Sequence, residues 1–158
     1  MSRATAALGS IVFLAVGPGL IAGLVPWLLT RWRMHDFPLA LRVVGGVLIG
    51  AGAAVVLHGF SRFVLEGLGT PSPVAPARRL VRGGAYRYVR NPIYLAITTT
   101  IAGEALLLGR LWLLAYAAGC LILFAAFVRL HEEPTLRRQF GEEYEEYRRT
   151  VPGWWPRL

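Results

Sequence analysis

Two adjacent carboxylates, Glu132 and Glu133, close a long apolar run and are flanked by His131 and Arg129. Where a helix leaves a membrane, such a pair is either an ordinary charged helix end or a place to hold an ammonium or sulfonium cation or take up a proton. Glu104 lies inside another apolar stretch, where a carboxylate points to function unless it reaches the interface. Gly67-Leu68-Gly69 begins like a nucleotide loop. However, Ser72 occupies the third glycine position, and Pro71 and Pro73 oppose a strand–turn–helix context, so the residues themselves read as a Gly/Pro turn. No His, Cys, Asp or Glu spacing suits a metal ion, and no Ser/His/Asp or Cys/His arrangement emerges. The single cysteine, Cys120, sits in an apolar run with no partner for a disulfide.

Helices in a bilayer must position these groups. Hydrophobic residues make up 55% of the 158, and the mean hydropathy is +0.50. A soluble domain of this size needs more polar surface to cover its core. Four apolar segments stand out, at 6–29, 39–60, 93–108 and 111–130. A bilayer core asks for about 20 helical residues, so the third segment spans only with help from its flanks. The first is too long for the apolar part of a signal peptide and reads as a retained anchor. Gly109-Arg110 is a minimal turn that makes segments three and four an antiparallel hairpin. Trp27, Trp32 and Trp112 fall at segment ends, as interfacial anchors do.

The basic residues orient these spans. All 17 are Arg, and the formal charge is +8. With four spans, 13 Arg share the side of both termini and of the 61–92 connection, against four on the other side. The positive-inside rule then places both termini in the cytoplasm, with the charge facing anionic lipid and no nucleic-acid partner implied. The 61–92 connection is rich in Gly and Pro and reads as an ordered loop. Residues 131–150 read as one amphipathic helix, with Leu136, Phe140, Tyr144 and Tyr147 forming an apolar-aromatic stripe. Pro134 either opens that helix or kinks it away from the fourth span. The expected fold is therefore all-α: a polytopic membrane protein of about four transmembrane helices plus a C-terminal cytoplasmic amphipathic helix, in one domain over 1–158.

Gly84-Ala85-Tyr86-Arg87-Tyr88-Val89-Arg90-Asn91-Pro92-Ile93-Tyr94 resembles the G-x-Y-x-x-x-R-[HN]-P-x-Y signature of integral membrane methyltransferases, the isoprenylcysteine carboxyl methyltransferase and phospholipid N-methyltransferase family. Glu132-Glu133-Pro134-Thr135-Leu136, Phe140-Gly141, Tyr144, Tyr147 and Val151-Pro152 are similar to the family's tail, and Gly67-x-Gly69-Thr70-Pro71 to the element before the signature in bacterial members. Asn91 stands where eukaryotic members carry His, and Gly153 where many relatives carry Arg.

The resemblance implies an enzyme of a bacterial inner membrane that uses S-adenosylmethionine (SAM) to methylate a lipophilic acceptor: an isoprenylcysteine-like carboxylate, a phospholipid amine or another hydrophobic small molecule. It implies a cofactor site made by Gly67, Gly69, Thr70, Leu80, Val81, Gly84, Tyr86, Arg90, Asn91, Pro92, Tyr94, Glu132 and Glu133. In it Arg90 would pair with the SAM carboxylate, and Glu132 or Glu133 with its ammonium. The glycines would allow close backbone approach, and the helix start at Pro92 would offer free N–H groups. Glu132 and Arg129 are the expected catalytic residues, and Tyr144 and Tyr147 the expected substrate contacts. Residues 1–60 would supply two helices, and 61–158 the cofactor-binding loop, the helical hairpin and the tail. The rival reading is a non-catalytic membrane protein, a transporter subunit or assembly factor, that keeps the fold.

Overall fold

The computed structural model describes residues 3–67 and 78–156. The described residues are helical with short connections and no strand. α1 (Arg3–Val16) runs through a widened π-helical turn at Leu20–Leu24 into α2 (Val25–Thr30). α3 (Leu39–Arg62) ends in a second π turn, Phe63–Gly67. After a 3₁₀ turn at Gly84–Arg87 come α4 (Pro92–Leu108) and α5 (Leu113–Phe127). A third π turn, Val128–Glu132, leads into α6 (Glu133–Phe140), and α7 (Glu142–Thr150) closes the order.

Three helical stretches are long and apolar enough to cross a bilayer: Leu8–Thr30, Leu39–Glu66 and Leu113–Phe140. α4, at 17 residues, is the short one. At 1.5 Å per residue it measures about 25 Å, below the ~30 Å of hydrocarbon. The expectation of a weak third segment thus holds. Val43, Val47 and Leu57 of α3, and Ile122 and Leu123 of α5, stand exposed. Water would penalise such faces, whereas lipid tails solvate them.

Two of the π turns share a cause. Each is followed, two positions after its last residue, by a proline: Pro26 and Pro134. Proline has no N–H to offer the carbonyl four residues back, and its ring crowds that carbonyl. The helix widens instead of breaking. Val25 donates to the Leu20 carbonyl and Glu133 to the Val128 carbonyl, each five residues back. Pro134 stands in the first turn of α6, as one expectation had it, whereas the alternative of a kink away from the fourth span gives way to a continuous helix, Leu113–Phe140. The single tail helix expected over 131–150 is also corrected. It divides at Gly141, whose φ of 53° and ψ of −125° lie where only glycine rests without strain.

Packing centres on α3 against α4. Gly45, Gly52 and Gly59 recur every seventh residue along α3 and are all buried. Opposite Gly45, the Gly103 carbonyl would stand 2.5 Å from any added Cβ; opposite Gly52, the Ala96 carbonyl would stand 2.7 Å away. Such contact lets two backbones approach where lipid offers no hydrophobic drive between helices. α4 joins α5 through Gly109, which caps it at φ 65°, and Arg110, whose N–H reaches the Ala105 carbonyl at 2.8 Å. Ala105 and Leu113 are fully buried at this junction.

The seam gives a test between neighbours. A side chain at Gly45 collides with α4, whereas one at Gly46 meets nothing within 4 Å. Gly45→Leu is expected to destabilise the bundle by about 2 kcal/mol or more, and Gly46→Leu by less than about 0.5 kcal/mol. Thermal unfolding in detergent reads the difference, and equal losses would remove the seam from the account.

Candidate functional site

One cavity of about 230 Å³ lies where α4 begins and the α5–α6 helix emerges. Its polar wall carries Arg79, Arg90, Asn91, Glu132, Tyr144 and Tyr147. Its apolar lining comes from Phe13, Pro18 and Ile21 of the first helical stretch, Ile97 of α4 and Phe124 of α5. Phe63, Leu80, Val81 and Tyr86 add to the lining. Aromatic rings and a few convergent polar groups in one concavity are what a small-molecule site requires.

The polar wall is held by a strap from the end of the chain. Arg90 donates its backbone N–H to the Pro152 carbonyl (2.9 Å) and its Nε to the Val151 carbonyl (3.1 Å). Asn91 gives both its backbone N–H (3.2 Å) and its Nδ2 (3.1 Å) to the Gly153 carbonyl. Nη1 of Arg90 reaches Glu133 Oε1 and the Tyr144 hydroxyl, each at 2.9 Å. From α7, Tyr147 donates its hydroxyl to the Tyr86 carbonyl at 2.7 Å in a buried contact. Burial holds the Tyr86 and Tyr147 hydroxyls well above the usual tyrosine range, so both stay protonated donors.

Glu132 differs from its neighbour. Its carboxylate lines the cavity and accepts the Tyr94 hydroxyl. The Tyr94 ring stacks on Phe124, with centroids 4.7 Å apart, and lies near Trp154. Glu133 instead turns to Arg90, with Arg148 3.9 Å from its second oxygen. The paired residues thus divide their work: one faces the cavity and the other locks the wall.

The expected residues are distributed as follows. Leu80, Val81, Tyr86, Arg90, Asn91, Tyr94, Glu132, Tyr144 and Tyr147 come together around the cavity. Pro92 is buried in the first turn of α4, but the Asn91 N–H beside it is taken by Gly153. Arg129 is exposed and outside the lining. Gly84 approaches α3, not the cavity; at φ 60° its missing side chain makes room for His58. Gly83 likewise fits against the Arg62–Glu66 ion pair and donates its N–H to Glu66 at 3.1 Å. Gly67 ends the second π turn, and Gly69 and Thr70 lie outside the described residues. Glu104 is buried in α4 away from the cavity, and its Oε2 has no hydrogen-bond partner among the described residues.

Sequence reasoning missed Arg79 and the wall from the first helical stretch. Gly17-Pro18-Gly19, inside an otherwise apolar run, is the signal that could have marked that wall.

The strap and its tyrosines are testable as structure. Tyr147→Phe leaves the buried Tyr86 carbonyl without its donor and is expected to cost about 1–3 kcal/mol. Tyr88→Phe, at an exposed ring, is expected to change stability by less than about 0.5 kcal/mol. Thermal unfolding of both variants measures the contrast.

Compared with known families, the chain matches the phospholipid methyltransferase profile over residues 41–143. No curated protein gives a significant match.

Proposed function

Because the chain belongs to the phospholipid methyltransferase family, we propose that it moves a methyl group from SAM to a lipophilic acceptor reached from the bilayer. The observation that carries this reading is one cavity with an ionisable, aromatic polar wall and an apolar wall built from membrane-spanning helices. Such a space suits a charged nucleoside donor at one end and a lipid at the other. The polar end lies where α3 finishes and α4 begins, beside the Arg-rich connection and tail. The positive-inside rule assigns that end to the cytoplasm.

The residues present fit the cofactor's chemistry. When bound, SAM supplies a methyl group activated on a sulfonium. Glu132 offers a carboxylate to its ammonium, while Tyr86 and Tyr94 offer aromatic faces to a cation or an adenine. Leu80 and Val81 offer an apolar edge. Arg90 is balanced by Glu133 at 2.9 Å, so its role is to fix Asn91 and the strap in place. The protein's contribution is then positioning and exclusion of water. For an amine acceptor Glu132 is also the group to draw in the ammonium and take its proton; a carboxylate acceptor needs only orientation. The acceptor meets the apolar wall formed by Phe13, Pro18, Ile21 and Phe124, so entry lies beside the first helical stretch and α5.

Calorimetry of SAM binding in detergent tests the proposal. Wild type is expected to bind, Glu132→Gln to bind about tenfold more weakly, and Arg129→Gln to bind like wild type. Absence of binding by wild type would leave a non-catalytic membrane protein as the better reading. Transfer of radiolabelled methyl groups into a membrane lipid extract then identifies the acceptor.

A further inference from the structure

The charges around the cavity do not cancel within the protein. Among the described residues, three charged side chains line it: Arg79, Arg90 and Glu132. Arg90 pairs with Glu133 at 2.9 Å, with the two side chains only 13% and 16% exposed. Glu132 has the Tyr94 hydroxyl and, among the described residues, no guanidinium partner. Arg79 is exposed and, among the described residues, faces no carboxylate within ion-pair distance. Of the other cations, Arg82 is engaged with Glu143 and the Tyr147 ring and Arg148 with Glu145 and Glu133, while the exposed Arg78 lies outside the lining. The cavity therefore presents one uncompensated anion and, at its rim, one uncompensated cation.

We infer that Arg79 is the oxyanion-holding residue of this cavity, taking either the carboxylate of SAM or the phosphate of a phospholipid acceptor. The inference rests on the proposed methyltransferase reading and moves the anion contact from Arg90 to Arg79. A guanidinium at a rim gives up little hydration while free, and its planar fork matches both carboxylate and phosphate with two parallel hydrogen bonds. Glu132 and Arg79 together complement a ligand, or a pair of ligands, carrying an ammonium and an oxyanion. Neither residue has to break an internal ion pair to bind it.

The test uses the full chain in detergent, comparing wild type with Arg79→Gln and Arg79→Lys by calorimetry. Two ligand pairs separate the sources: SAM against decarboxylated SAM, and short-chain phosphatidylethanolamine against an alkyl amine lacking phosphate. If the carboxylate is held, Arg79→Gln weakens SAM about tenfold and leaves the decarboxylated form unchanged. If the phosphate is held, the same loss falls on phosphatidylethanolamine alone. Arg79→Lys, a point charge without the fork, is expected to recover only part of either loss. No loss in either pair, or equal loss in both members of a pair, overturns the inference. A wild type that binds no SAM overturns the methyltransferase reading instead, and the phosphatidylethanolamine pair still reads Arg79 directly.

Discussion

The contact on which the site depends is the ion pair between Arg90 and Glu133, 43 positions apart in the chain. Its guanidinium is shared with the Val151 carbonyl and the Tyr144 hydroxyl, so one side chain joins the start of α4, the start of α6, α7 and the terminal strap. Desolvating two charges is expensive, and the pair is tolerated only because the remaining lone pairs and N–H groups find partners nearby. Removing one partner would leave the other buried and uncompensated, and the polar wall would lose its common anchor.

Much of this was legible in the sequence because it is local. Hydropathy located the apolar stretches, Gly109-Arg110 the hairpin, and the R-N-P and E-E elements the residues that gather at the cavity. What was not legible depends on distance in the chain. Nothing in the spacing says that Arg90 would be balanced by Glu133, or that Glu132 alone would face the cavity. Gly84 is expected to give room to a ligand, yet it makes room for His58 of α3, and Gly83 beside it for Arg62 and Glu66. The seven-residue spacing of Gly45, Gly52 and Gly59 acquires its meaning only with α4 laid against it. The first helical stretch, outside the residues matched by the family profile, supplied cavity wall that no motif announced.

The shortness of α4 and the glycine seam belong together. A helix of 17 residues cannot present apolar surface across the whole bilayer, so it is buried between α3 and α5 with little left facing lipid. The close approach to α3 permits that burial, and it brings the start of α4, with Asn91 and Tyr94, to the level of the tail.

The widened turn at Val128–Glu132 sets the helical phase of the two glutamates. In an unbroken α-helix, Glu133 would point about 140° around the axis from Val128. The five-residue hydrogen-bonded turn brings it back over Val128 instead. Consecutive acidic residues can then both look toward the protein, one into the cavity and one onto Arg90, with neither turned toward lipid. A proline two positions later thus decides, through the count of residues in a single turn, which way two charges face.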